Sequence, residues 1–152
     1  MWQRRAALVV VATIPVLGLL NVFGQRATSV VYPGTGASLS IDSPTHVRGG
    51  LIFTTDIVIR ANRTLKDARL LLSNGWFRGM TYNAIAPQPT SQSSSGRWEI
   101  LGIGPLPAGT RYHLWVSWQV NPTNAGRRSQ DVRLYDGSTL LVTANRSFTV
   151  FP

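Results

Sequence analysis

The chain has 152 residues, enough for one ordinary domain with a short appendage and too few for a large multidomain enzyme. Its 15 basic residues, all but Lys66 arginine, face six carboxylates, giving a formal charge of +9 on a chain only 14% charged; 43% hydrophobic residues exclude a disordered tail. The absence of cysteine excludes disulfides, Cys-ligated metals and thiol nucleophiles, and 14 Gly with 9 Pro point to many turns rather than a helical bundle.

Residues 1–5 end in Arg4 and Arg5, and the run that follows, Ala6–Phe23, carries no charge. As a helix it is about 27 Å long, close to the thickness of a hydrocarbon core. The sequence therefore predicts one transmembrane helix over 6–23, with residues 1–5 cytoplasmic and everything beyond outside, because Arg4 and Arg5 precede the run and only Arg26 follows closely. The competing reading is a cleaved signal peptide. That reading wants a shorter apolar core and a small-x-small site, and the nearest one, Ala27-Thr28-Ser29, is badly placed after Gln25-Arg26. Either way the rest of the chain is expected to be extracytoplasmic, and the retained anchor makes this a single-pass protein of the cell membrane. Residues 24–37, GQRATSVVYPGTGA, have no clear period and read as a stalk.

From Ser38 the pattern turns to short period-two runs separated by Pro, Gly, Asn and Asp. Strands are expected at Ser38–Asp42, Leu51–Ala61, Asp67–Ser73, Gly79–Tyr82, Trp98–Ile103, Arg111–Val120, Gln130–Tyr135 and Thr139–Val150. In Arg111–Val120, residues Tyr112, Leu114, Val116, Trp118 and Val120 alternate with Arg111, His113, Trp115, Ser117 and Gln119, so the first set should be core. Leu51–Ala61 repeats the pattern with Phe53, Thr55, Ile57, Ile59 and Ala61. Tyr135-Asp136-Gly137-Ser138 reads as a tight hairpin between the last two strands, because Asp-Gly takes positive φ readily. No helical period follows residue 24. The fold class is all-β: a Greek-key β-sandwich over 38–152, with a small barrel as the alternative.

Ser43-Pro44 before the first long strand, Arg69-Leu70-Leu71-Leu72, Asn74-Gly75-Trp76, Trp98-Glu99-Ile100-Leu101 and Pro105-Leu106-Pro107-Ala108-Gly109 follow one another in an order that resembles the immunoglobulin-like modules of bacterial surface proteins. In those modules a tip loop follows the third strand, and a Leu-x-Ala-Gly turn precedes a long aliphatic strand. One such module behind an N-terminal anchor also resembles small exported bacterial proteins of unassigned function that accompany a multi-pass membrane protein. The resemblance implies an immunoglobulin-like fold, a surface role and a membrane-protein partner.

The residues give no catalytic constellation. His46 and His113 lie in separate segments, no Gly-x-Ser-x-Gly elbow occurs, and Asp42, Asp56, Asp67, Glu99, Asp131 and Asp136 are scattered, with surface pairing to Arg60 or Arg97 the plain reading for Asp56 and Glu99. No enzyme, metal or cofactor is expected. Nucleic acid is not an expected partner either, since export removes the usual ligand, whereas anionic lipid headgroups and acidic envelope polymers remain within reach of a basic domain.

Aromatic residues on a polar face single out the binding candidates. Trp115, with His113 and Arg111 beside it, would be exposed on an open sheet, unless a second sheet or the stalk covers that face. Trp76 and Phe77 follow an Asn-Gly turn and form either an accessible tip or a cap on one end of the sandwich. Arg127 and Arg128 sit in a turn before a strand, where they would steer an acidic partner. The function expected is non-covalent binding, foremost to an integral membrane protein in the same bilayer. A cell-envelope glycan or anionic polymer is the alternative partner, with Trp76 and Trp115 in one groove, and a hydrolase built around His113 ranks last.

Overall fold

The computed structural model describes residues 2–19 and 25–152. Helix α1 (Trp2–Leu19) is followed by thirteen strands: β1 (Ala27–Pro33), β2 (Ala37–Pro44), β3 (His46–Arg48), β4 (Ile52–Ala61), β5 (Leu65–Ser73), β6 (Met80–Ala86), β7 (Ser91–Ser95), β8 (Trp98–Leu106), β9 (Arg111–Val120), β10 (Gly126–Ser129), β11 (Val132–Asp136), β12 (Thr139–Ala144) and β13 (Ser147–Phe151), with a 3₁₀ turn at Asn74–Trp76. Sheet one has the order β1-β2-β4-β9-β6 and sheet two β12-β11-β5-β8-β7, both antiparallel throughout. A three-stranded sheet, β10-β13-β3, closes one end, with β13 and β3 parallel.

The two large sheets bury their facing sides in one core, which makes the domain a β-sandwich. Period-two alternation does this directly. In β9, Leu114, Val116, Trp118 and Val120 are buried while Arg111, His113, Trp115 and Gln119 face out; in β4, Phe53, Thr55, Ile57, Ile59 and Ala61 are buried, and the strands pair from Ile52–Gln119 to Arg60–Arg111. The hairpin joining β11 to β12 turns at Gly137-Ser138, one residue later than the expected Asp136-Gly137, with Asp136 paired to Thr139 and Gly137 at φ 59°. Asp136 does more than turn the chain: its Oδ1 accepts the backbone N–H groups of Lys66 and Asp67 at 2.9 and 3.0 Å, tying the hairpin to β5.

Several expectations change. The segment expected to be a stalk contains β1, whose every residue from Ala27 to Pro33 pairs with β2, so the sandwich begins well before Ser38. Period two is unreadable there because both of its faces are mostly exposed. The stretch Thr139–Val150 is two strands in different sheets. It breaks at Asn145-Arg146, where the Arg146 N–H donates to Asp131 Oδ1 (3.2 Å) and its buried guanidinium donates to the Ser43 carbonyl (3.1 Å). Burial lowers the Arg146 pKa, an effect partly offset by Tyr32 and Asp42.

The anchor expectation changes as well. Helix α1 takes in Arg4 and Arg5 at its start, its described part ends at Leu19, and residues 20–23 of the apolar run lie outside the described residues. Among the described residues no helix is long and apolar enough to cross a membrane. Wherever side-chain exposure is described, α1 is exposed, with Leu8, Val9, Val10, Val11 and Ile14 each more than 60% accessible. The sandwich does not cover it.

Candidate functional site

The outer face of sheet one is built by residue parity on β2, β4 and β9. Register sets Asp42 opposite Asp56 and Asp56 opposite Trp115, with Ala86 of β6 on the other side of Trp115; the next row is Ser40, Val58 and His113, and the next Ser38, Arg60 and Arg111. Sheet two packs on the opposite face, leaving Trp115 58% exposed. The small Ala86 beside it leaves the indole without a tall neighbour on that flank. Val31, on the edge strand β1 opposite Ser40, adds a second exposed apolar side chain, 63% accessible.

His113 Nδ1 lies 3.3 Å from Asp56 Oδ2, within hydrogen-bonding distance, and ion pairs elsewhere join Arg63 to Asp136 and Arg69 to Asp67. Asp56 thus pairs with histidine rather than with Arg60, and Glu99 accepts from Gln92 and Ser94 rather than from Arg97. Arg60 and Arg111 lie side by side across the β4–β9 register, which gives this end of the face a cationic rim. The face is an open sheet surface with an aromatic centre, a His–Asp pair and charged borders. The crevice found elsewhere, lined by Phe77, Tyr82, Ile85 and Trp118, lies between the sheets and away from His113. Among the described residues no group of three or more His, Asp or Glu side chains is placed to hold a metal.

The other candidates go elsewhere. Trp76 is fully buried: its ring lies 5.6 Å from that of Trp118, with the Arg146 guanidinium 5.7 Å from its centroid. Phe77 is half-buried and meets Trp118 edge-on at 5.4 Å. The accessible tip is therefore a cap on the sandwich, and no groove pairs Trp76 with Trp115. The cause is Gly75, whose lack of a side chain lets the turn press against the Ser129 backbone. Arg127 and Arg128 lie on β10 in the three-stranded sheet. Arg127 is exposed and donates to Ser147 Oγ, while Arg128 is half-buried and donates to the carbonyls of Arg78 and Asn124. Burial, and then the nearby charge of Arg78, lowers the Arg128 pKa. Of the seven candidates, the structure brings Arg111, His113 and Trp115 together.

Asp56, Arg60 and Val31 are members of this face that sequence reasoning did not select as binding residues. Alternation in β4 places Asp56 on the outer side, but only the β4–β9 register sets it beside His113 and Trp115.

No family model and no curated protein matches the chain. Among solved structures, the chain is similar to a non-cellulosomal cohesin from the hyperthermophilic archaeon Archaeoglobus fulgidus, at 14% identity and a TM-score of 0.46 over 84% of this chain and 92% of that one. It is similar to the GH20 exo-β-N-acetylglucosaminidase from Vibrio harveyi at 12% identity and 0.42, over 78% of this chain and 18% of that one. It is also similar to the C-terminal domain of wzt at 13% and 0.41, over 85% of this chain and 81% of that one.

Proposed function

We propose that this chain is an extracytoplasmic, immunoglobulin-like binding module, held at the cell membrane by its apolar N-terminal run, that contacts an integral membrane protein through the outer face of sheet one. The observation that carries the reading is Trp115: a tryptophan left 58% exposed in the middle of β9, on a sheet face that none of the described elements covers. A large rigid aromatic surrounded by hydrogen-bonding and charged groups is the usual anchor of a protein contact, because it buries much area at little entropic cost while its neighbours set orientation. Asp56, His113, Arg60 and Arg111 are those neighbours here.

Membrane attachment is supported by the uncharged run Ala6–Phe23 behind Arg4 and Arg5, and by the uncovered apolar side chains of α1. Attachment confines module and partner to two dimensions, so a contact of modest intrinsic affinity is sufficient.

The test is quantitative co-isolation of the tagged full chain from crosslinked native membranes. Trp115→Ala should lower the recovered partner about thirtyfold, the effect of removing an anchor worth about 2 kcal/mol, while the chain itself accumulates normally. Arg133→Ala, on sheet two, should leave recovery unchanged. Equal recovery with Trp115→Ala and the unaltered chain would remove this face from the contact.

A further inference from the structure

The chain enters the sandwich at Ala27, which pairs with Pro44 of β2, two residues before His46. That end of the domain differs from the rest in composition. The segments that build it, 45–52, 78–79, 121–129 and 147–151, contain Arg48, Arg78, Arg127, Arg128 and His46 and no Asp or Glu. The nearby Asp131 is occupied by Ser129 Oγ and the Arg146 N–H, and Asp42 and Asp56 lie further along the face of sheet one.

The same end carries three exposed large apolar side chains: Leu51 at 44%, Ile52 at 57% and Phe151 at 49%. They are contiguous with the cations. Phe151 is opposite Arg48 in the β13–β3 register, its carbonyl accepts the Gly49 N–H at 2.8 Å, and its ring stacks on His46 at 5.8 Å. Arg127 and His46 flank Thr149 from either side, about 10 Å apart across two strand spacings. The loop after β9 brings Pro122 against Gly49 and Gly50, and Asn121 bonds to Gly79 beside Arg78. Arg48, Arg78 and Arg127 are exposed and form no ion pair among the described residues.

Apolar side chains ringed by unpaired cations, at the end where the chain comes from an apolar helix, match one occupant in both chemistry and position. We infer that this end of the domain docks on an anionic lipid surface, with Leu51, Ile52 and Phe151 entering the interface and Arg48, Arg78 and Arg127 facing headgroup phosphates. A soluble polyanion would engage the arginines but leave the three apolar side chains unused, which is why the bilayer is the better fit. The inference rests on the membrane-held reading given above. It adds that the sandwich lies against the bilayer by one end, which turns sheet one's outer face sideways, toward a neighbour in the same membrane.

Because the chain has no cysteine, one environment-sensitive fluorophore can be placed at Leu51→Cys, or at Ala108→Cys at the opposite end, in the full chain. In vesicles of mixed phosphatidylcholine and phosphatidylglycerol, the probe at 51 should shift to the blue and become shielded from an aqueous quencher, while the probe at 108 stays water-like. In pure phosphatidylcholine the probe at 51 should stay water-like too. Arg48→Ala and Arg127→Ala should each lower the docked-to-free ratio about fivefold. A chain that floats with mixed vesicles while the probe at 51 remains water-like overturns docking and leaves the anchor intact. A chain that does not float overturns both. An equal shift in pure phosphatidylcholine, or a response to dextran sulfate but not to vesicles, overturns the anionic-lipid assignment.

Discussion

Trp118→Ala should destabilise the sandwich by about 3–5 kcal/mol, measured as a fall in the denaturant midpoint at unchanged slope. Trp118 is fully buried and forms the hub of the aromatic cluster that fills one end of the core, with Trp76 at 5.6 Å, Phe77 at 5.4 Å and Tyr82 at 6.5 Å. Truncation removes the indole's own transfer energy and leaves a cavity that the surrounding rings cannot collapse to fill, since each is held by a different element: the 3₁₀ turn, the segment after it, and β6. Against a typical domain stability of 5–15 kcal/mol the loss is at least about a fifth. Val116→Ala, on the same strand and face, removes far less volume and should cost less. A loss below about 1 kcal/mol for Trp118→Ala would mean that the cluster is loosely packed.

Gly75→Ala should cost at least about 3 kcal/mol, although it adds a single methyl group in a turn. A Cβ at residue 75 would stand 1.7 Å from the Ser129 carbonyl oxygen and 2.8 Å from its carbon, both backbone atoms of β10 that no rotamer change can move. Relief requires the 3₁₀ turn and β10 to separate. Separation would break the hydrogen bond from Ser73 Oγ to the Ser129 carbonyl and lift Trp76 from the core. Gly137→Ala offers the contrast: it sits at φ 59° with nothing nearby for a Cβ to meet, so its cost is limited to backbone strain of about 1 kcal/mol. Equal unfolding midpoints for the two variants would refute the close approach at Gly75.

These residues also mark where the sequence was readable. Strands β4 and β9 alternate cleanly over ten residues because one side meets the core and the other meets solvent, and β9 runs over the expected Arg111–Val120. The hairpin between β11 and β12 was legible too, though its loop is Gly137-Ser138 rather than Asp136-Gly137. The short strands were not. β3 is three residues long, β7 is Ser-Gln-Ser-Ser-Ser with every side chain exposed, and β10 has no fully buried residue, so none carries a hydrophobic period. Their strand geometry comes from backbone pairing with neighbours.

The candidate face was half legible for the same reason. Parity along one strand set Trp115, His113 and Arg111 on one side, but the partners across the sheet depend on register, which alternation does not encode. Trp76 shows the opposite limit. Its Asn-Gly context reads as an exposed turn, yet the glycine serves close packing, which only the approach of β10, more than fifty residues further along the chain, makes visible.

The most direct measurement is hydroxyl-radical footprinting of the full chain, comparing oxidation of Trp115 in native membranes with that in the isolated protein. If the outer face of sheet one is the contact, Trp115 should be strongly protected in the membranes, while Trp98, half-buried on sheet two between Arg97 and Arg133, reacts equally in both. Equal oxidation of Trp115 in the two states would contradict the proposed role of this face.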